Sequence, residues 1–286
     1  MNLNKLTVLD CTFRDGGYYC DWSFHPTLIK KYLAAMEDSR VDIVEIGFRF
    51  MPKSRLLGPF AYTSDDFLKT LSLPKGINYS VMINASDLIN FDGNIGSAVN
   101  LLFSDKSESV IDIVRIAAHA KDINSCEEIA KKLVELGYKV FLNIMQISSI
   151  KPSEVSNLAS VVKDWNSIEV LYFADSLGNM ESDDVKNIIN SISQEWKRPI
   201  GIHTHDNKNL ALSNSFKALE HGVTFIDATV LGMGRGAGNA RMEDLLIELT
   251  SKGYGEYNPD SIFPIVSNDF TVLKNKYKWG SNIYYF

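Results

Sequence analysis

The sequence lacks three features that would each point to a particular class of protein. It has no basic excess, since 35 Asp and Glu outnumber 29 Lys and Arg, so a basic face for nucleic acid is not expected. It has no apolar run near the roughly 20 residues that a membrane span needs. Residues 1–5 lack the zones of a signal peptide, so the expected location is cytoplasmic.

Cysteine is also scarce. Cys11, Cys20 and Cys126 lie far apart and form no C-x-x-C pair, so neither a disulfide framework nor a zinc knuckle is indicated, and buried thiols are expected. What the chain does have is 286 residues of which 45% are hydrophobic. This length and composition favour one large α/β domain over two smaller ones.

Short β-branched runs alternate with longer helical-period stretches, which is typical of repeated βα units. Strands are predicted over residues 6–11, 42–47, 78–83, 111–117, 139–145, 169–174, 200–205 and 225–231. Helical patterns such as 126–136, 153–164 and 210–221 lie between them. Eight such units predict a single TIM (β/α)₈ barrel of about 250 residues, covering 1–250. Residues 49–63 are interpreted as a loop over the barrel mouth, and 251–286 as an aromatic-rich tail that packs on the barrel or on an oligomer interface.

In such barrels the chemistry lies at the carboxyl ends of the strands. The polar residues expected there are Arg14 and Asp15, Glu45 and Arg49, Arg115 and His119, Gln146, Asp175, His203 and His205, and Asn239 in a glycine-rich loop. His203 and His205 form an H-x-H pair on one face of a strand, which suits binding of one ion but also occurs as interior hydrogen-bonded histidines. Barrel closure brings Asp15 and Asn239 towards the same rim. This donor set suits an open site for Mn²⁺ or Mg²⁺, with Co²⁺ or Zn²⁺ as alternatives.

These residues carry a resemblance to a known superfamily. The segment Leu9-Asp10-Cys11-Thr12-Phe13-Arg14-Asp15-Gly16 resembles the D-x-T-x-R-D-G signature of the DRE-TIM metallolyases, which include hydroxymethylglutaryl-CoA lyase, isopropylmalate and homocitrate synthases and 4-hydroxy-2-oxovalerate aldolase. Segments 114–117, 172–176, 201–205 and 227–240 are most similar to the oxovalerate aldolase. The resemblance spans nearly the whole predicted barrel.

The resemblance implies a function and a site. Asp15, His203 and His205 would bind the metal, with Asn239 as a fourth or supporting partner, and Arg14 would be the catalytic cation that Glu45 holds in place. The implied reaction is a metal-dependent aldol cleavage of a 4-hydroxy-2-oxo acid, or its reverse. A small 2-oxo acid and an aldehyde would be the substrates, and relatives of similar length suggest a homodimer.

Two of the chain's departures from the family pattern bear on its catalytic groups. Tyr18 stands where the oxovalerate aldolase has a histidine implicated in proton transfer, so a base role for Tyr18 requires nearby cations to lower its pKa. His119 is the other candidate base. Arg235-Gly236-Ala237 stands where hydroxymethylglutaryl-CoA lyase carries a reactive cysteine, which disfavours that activity.

Several alternatives stay open at the level of sequence. Arg49, Arg115, Asp175 and Gln146 are candidates for substrate binding, although interior arginines also pair with structural acids. The loop at 232–238 lies where TIM barrels often bind phosphate, or its glycines serve packing against the metal site. A Claisen-type synthase that joins an acyl-CoA to a 2-oxo acid, and a non-catalytic barrel subunit, are the alternative functions.

Overall fold

The computed structural model describes residues 5–283. Within this range eight parallel strands form a closed barrel in sequence order, with β8 hydrogen-bonded to β1. The strands are β1 (Thr7–Asp10), β2 (Ile43–Phe48), β3 (Asn78–Asn84), β4 (Ile113–Ala118), β5 (Lys139–Ile144), β6 (Val170–Asp175), β7 (Ile200–Thr204) and β8 (Phe225–Ala228). The predicted (β/α)₈ barrel is confirmed, and every predicted strand lies within a few residues of the observed one.

Helices connect the strands in order. They are α1 (Thr12–Gly16), α2 (Pro26–Asp38), α3 (Asp65–Lys69), α4 (Ala85–Ile89), α5 (Ile95–Leu102), α6 (Ile123–Glu135), α7 (Pro152–Val162), α8 (Ser182–Glu195), α9 (Ala211–Glu220), α10 (Met242–Ser251), α11 (Phe263–Ile265) and α12 (Thr271–Tyr277). A π-helical turn, Val266–Phe270, joins the last two. None of the helices in residues 5–283 is long and apolar enough to cross a membrane.

The segment between β2 and β3 holds a helix that the sequence did not predict. Helix α3 begins after Ser64, whose hydroxyl accepts a hydrogen bond from the backbone nitrogen of Phe67. Asp65 and Asp66 add negative charge to its first turn, which favours a helix start. A helix of five residues shows too little periodicity to be recognised from its apolar pattern.

The barrel interior has two kinds of layer, because residues i and i+2 of a strand face the same side. Ile43, Ile113 and Phe225 belong to the apolar interior cluster, together with Leu9, Cys11, Phe141, Val170 and Tyr172. Two residues further along the same strands stand Glu45, Arg115 and Asp227, all buried. The charged residues of these strands therefore lie closer to the carboxyl end of the barrel than the apolar cluster does.

The C-terminal segment contacts the loop after β8. Trp279 is buried, and its indole nitrogen donates a hydrogen bond of 3.0 Å to the carbonyl oxygen of Leu231. The rings of Tyr277 and Trp279 lie 5.7 and 5.9 Å from the ring of Tyr19. Packing of the tail is expected over residues 251–286, of which 284–286, like residues 1–4 at the other end of the chain, lie outside the described range.

Candidate metal centre and active site

Three buried side chains meet at the carboxyl end of the barrel. The Nε2 atoms of His203 and His205 lie 3.3 Å apart, and Nε2 of His203 lies 3.9 Å from Oδ2 of Asp15. The donor atoms of the three residues all lie within 4.8 Å of one another. Metal bonds of about 2.0–2.2 Å place neighbouring ligand atoms about 3–3.5 Å apart, so the two imidazoles are already spaced for one ion.

The turn after β1 places Asp15. The carboxylate of Asp10 accepts hydrogen bonds from the backbone nitrogen and the hydroxyl of Thr12, both at 2.8 Å, and from the hydroxyl of Tyr32. The same Thr12 hydroxyl accepts a hydrogen bond from the backbone nitrogen of Val230. These contacts join the start of α1 to the loop after β8, so the D-x-T part of the signature builds the turn that carries Arg14 and Asp15.

The carboxylate of Asp15 stays charged in this setting. Burial by itself would raise its pKa, but Arg14, His205 and His203 and a hydrogen bond from Asn239 hold the pKa well below its usual range. Nδ2 of Asn239 donates that bond, at 2.6 Å. Its Oδ1 is buried and has no partner in the described residues. A buried, unpaired oxygen on an amide that contacts the Asp15 carboxylate fits a cation.

Asp227 lies behind His203 and was not assigned a role from the sequence. Its Oδ2 lies 3.0 Å from Nδ1 of His203, which leaves Nε2 to face the other donors. The same oxygen accepts a hydrogen bond of 2.8 Å from Arg115. Burial would raise the pKa of Asp227, but Arg115 and His203 lower it. The signal available in the sequence was a single acid within the apolar strand next to the H-x-H strand.

Glu45 connects the two arginines of the site. Nε of Arg14 donates to Oε1 of Glu45 at 2.7 Å, and Nη1 of Arg14 donates to Oδ1 of Asp15 at 3.0 Å. Nη1 of Arg115 lies 3.3 Å from Oε2 of the same Glu45. With Asp227, these residues form a continuous chain of buried opposite charges that runs from Asp15 to His203.

Three residues proposed for substrate binding have other partners. Arg115 is fully buried between Glu45 and Asp227, with its guanidinium 4.2 Å from the centre of the Tyr172 ring. Arg49 donates to the carbonyl oxygens of residues 63 and 102 and to Asp65 at 2.6 Å. Asp175 accepts backbone hydrogen bonds from residues 179 and 180. Each of these groups therefore already has partners within the barrel or its loops.

The two candidate bases, Tyr18 and His119, have different surroundings. Desolvation raises the pKa of Tyr18, and Arg235 and Arg14 offset this only in part, so the lowered pKa that a base role requires is not found. His119 lies after β4 and lines a cleft of about 370 Å³ with Gln146 and Lys121. The structure brings His119 and Gln146 to one cleft, and among residues 5–283 no hydrogen bond joins either to Asp15 or the two metal-site histidines.

One glycine explains why the loop after β8 can approach the donors. A Cβ on Gly234 would lie 2.3 Å from Nδ2 of Asn239 and 2.8 Å from Oδ2 of Asp15. Any side chain there would displace the amide of Asn239 and the carboxylate of Asp15. Of the two interpretations of this loop, close packing against the site is the one that the contacts at Gly234 support.

Comparison with known proteins gives concordant matches. The family model described as HMGL-like matches residues 98–265. The 4-hydroxy-2-oxovalerate aldolase of Carboxydothermus hydrogenoformans is 29% identical over 252 residues, covering 87% of this chain and 72% of that protein. The N-terminal domain of a provisionally named aldolase from Bacteroides vulgatus is 32% identical, with a TM-score of 0.87 over 98% of this chain and 91% of that one. An HMG-CoA lyase of Bacillus subtilis, at 16% identity and a TM-score of 0.75 over 97% and 95% of the two chains, shares the fold.

Proposed function

Since this chain is a member of the HMGL-like family, within the DRE-TIM metallolyases, we propose that it is a divalent-metal-dependent aldolase acting on a 4-hydroxy-2-oxo acid. The chain is an oxo-acid lyase, as its relatives are. In the proposed reaction the proton of the 4-hydroxyl passes to a general base, for which His119 is the candidate, and the C3–C4 bond breaks. C4 leaves as an aldehyde carbonyl, and the bonding electron pair stays on C3 as the enolate of pyruvate, which takes up a proton at C3 to give pyruvate.

The single observation that carries the proposal is the convergence of Asp15, His203 and His205, with the amide of Asn239, whose Oδ1 is unpaired, hydrogen-bonded to Asp15. These residues would hold the ion, and Mn²⁺ or Mg²⁺ suits a mixed oxygen and imidazole set with open positions, with Co²⁺ or Zn²⁺ as alternatives. When bound, the ion would supply Lewis acidity to the 2-oxo carbonyl. Asp227 would fix the tautomer of His203 so that Nε2 is the free ligand atom.

Arg14 is the proposed catalytic cation. Its Nε and Nη1 are held by Glu45 and Asp15, and its Nη2 makes no hydrogen bond with the described residues. A guanidinium fixed on two sides presents its third nitrogen in one direction, here from a buried position. A preorganised cation of this kind stabilises negative charge that develops on a substrate oxygen without reorganising at the moment of reaction.

The remaining assignments are narrower. We infer that Glu45 positions Arg14, that Arg115 positions Glu45 and Asp227, and that Arg49 and Asp175 hold the structure rather than the substrate. His119 and Gln146, which share a cleft beside the loop after β5, stay candidates for proton transfer and substrate contact. We also propose that the chain is divided into a barrel, 1–250, and a tail, 251–286. We further propose that it assembles as a homodimer.

Exchange of the C3 protons of pyruvate in deuterated buffer, followed by NMR, tests the proposal without knowledge of the aldehyde. Metal-stripped protein, stripped protein with added Mn²⁺ and protein with EDTA are compared. We expect exchange only with the metal present, because the enolate forms only when the 2-oxo carbonyl is polarised. Equal exchange rates in metal-stripped and Mn²⁺-loaded protein would contradict the metal-dependent mechanism. An absence of exchange in Mn²⁺-loaded protein would favour the acyl-CoA synthase over the aldolase.

A further inference from the structure

The loop after β8 passes over the metal-site donors and places one side chain at the barrel mouth. Gly234 leaves no room for a Cβ against Asp15 and Asn239, and its carbonyl oxygen accepts a hydrogen bond of 3.0 Å from the hydroxyl of Tyr19. The backbone therefore lies in contact with the site at residue 234. The next residue, Arg235, is exposed, so its side chain starts at the rim.

Arg235 differs from the other arginines near the site. Arg14, Arg49 and Arg115 each contact one or more carboxylates at 2.6–3.3 Å. The guanidinium of Arg235 makes no hydrogen bond or ion pair with any residue in the range 5–283. It lies instead over the ring of Tyr18, with Cζ 4.7 Å from the ring centre. Its charge is the only arginine charge at this mouth that no protein carboxylate of the described residues neutralises.

The Tyr18 ring is itself fixed. It packs edge-on against Trp22, with ring centres 4.6 Å apart, and Trp22 is buried and donates a hydrogen bond of 2.9 Å to the carbonyl oxygen of Arg14. An arginine stacked on a fixed ring keeps its in-plane N–H groups free for a planar or tetrahedral anion. The chain from Arg14 through Trp22 and Tyr18 thus ties the position of Arg235 to that of the catalytic cation.

From this arrangement we infer that Arg235 is a specificity-determining residue, which binds an anionic group, a carboxylate or a phosphate monoester, on the aldehyde half of the substrate. The inference rests on the proposed function. The proposed metal ligands and Arg14 are assigned to the pyruvate half of the substrate. Arg235, the second cation at the barrel mouth, is therefore assigned to the half of the substrate beyond the cleaved bond. The substrate class is therefore a 4-hydroxy-2-oxo acid with a second negative charge at its far end.

The test measures a ratio, so that partial loss of activity or folding does not confound it. Addition of pyruvate to three aldehydes is followed: propionaldehyde, which is neutral, succinic semialdehyde, which carries a carboxylate, and glyceraldehyde 3-phosphate. The readout is kcat/KM for each anionic aldehyde divided by kcat/KM for propionaldehyde. Proteins compared are the wild type, Arg235→Gln, Arg235→Lys and Arg40→Gln. Arg40→Gln is the matched control, because it removes the same charge just before β2, at the opposite end of the barrel.

We expect the wild type to prefer one anionic aldehyde and Arg235→Gln to lower that ratio roughly 10–100-fold, the range for a lost hydrogen-bonded charge contact. Arg235→Lys, which keeps the charge without the fork, should retain part of the ratio, and Arg40→Gln all of it. The aldehyde whose ratio falls most identifies carboxylate or phosphate as the group bound. A wild type without anionic preference, or an unchanged ratio in Arg235→Gln, overturns the inference. Wild-type pyruvate exchange is measured alongside, and its absence would count against the proposed function instead.

Discussion

Nδ1 of His203 and Oδ2 of Asp227 lie 3.0 Å apart, although 24 residues separate them in the chain. The contact orients the imidazole, and Asp227 is in turn held by Arg115 at 2.8 Å. Orientation of one proposed metal ligand therefore depends on charged residues from two other strands.

Asp227→Asn should weaken metal binding while leaving the three proposed ligands in place. Replacing the carboxylate by an amide removes its negative charge and leaves one acceptor oxygen, so the His203 tautomer is fixed less firmly, and such changes lower metal affinity about 10–100-fold. Calorimetric titration of stripped protein with Mn²⁺ measures the effect. Asp269→Asn, which removes a carboxylate from a surface ion pair with Lys31, is the control. Equal Mn²⁺ affinity in Asp227→Asn and the wild type would show that Asp227 does not support the site.

Arg14→Lys and His205→Ala should differ in their effects on metal binding and on pyruvate exchange. Lysine keeps one positive charge beside Asp15 but lacks the planar guanidinium that contacts Glu45 and Asp15 and still presents a third nitrogen, so Mn²⁺ affinity should stay near the wild-type value while pyruvate exchange falls about 10²–10³-fold. His205→Ala should lose metal and exchange together. Metal content by elemental analysis and exchange rates by NMR distinguish them. A fully active Arg14→Lys variant would remove Arg14 from the mechanism.

Arg115→Met should destabilise the fold. The substitution leaves Glu45 and Asp227 as buried carboxylates without their shared cation, a change that costs about 3–5 kcal/mol. Urea denaturation of metal-stripped protein measures the free energy of unfolding. The double variant Arg115→Met/Asp227→Asn should recover part of the loss, since one uncompensated charge is removed with its partner. Strictly additive losses would contradict this account of the pair.

Asp10 should give the protein a specific dependence of stability on pH. Burial raises the pKa of Asp10 from 3.8 to about 6, although hydrogen bonds from Tyr32 and Thr12 oppose the shift. Between these values the folded state binds a proton that the unfolded state has released, so this contribution to the free energy of unfolding decreases as the pH rises from about 4 to about 6. Its size is about 3 kcal/mol over the window.

Asp10→Asn cannot titrate at this position and should lack that component. The difference in free energy of unfolding, wild type minus Asp10→Asn, should therefore fall as the pH rises through the window. Urea denaturation of both proteins at pH 4.5, 5.5 and 6.5 measures it. A difference that is constant across these pH values would show that Asp10 is already ionised in the folded state at the lowest of them.

The architecture and the positions of the proposed metal ligands could be read in large part from the sequence. Alternating βα periodicity is a local property, so eight units and their order appear along the chain without knowledge of contacts. The H-x-H pair follows from the two-residue period of a strand, which puts His203 and His205 on one face. Closure of a barrel then brings strands 1, 7 and 8 together by topology alone, and Asp15 and Asn239 with them.

The partners of the buried charges were decided only by the tertiary structure. Arg115 and Asp227 are 112 residues apart, and no local pattern states that the first binds the second rather than a substrate. Arg49 has a strand-end position like that of a binding residue, yet Asp65 of the unpredicted helix α3 engages it. Charge pairing in a barrel depends on register and on side-chain reach across the interior, which are set when the sheet closes. Sequence therefore determined which residues reach the site, and closure of the sheet decided which of them remain free to act.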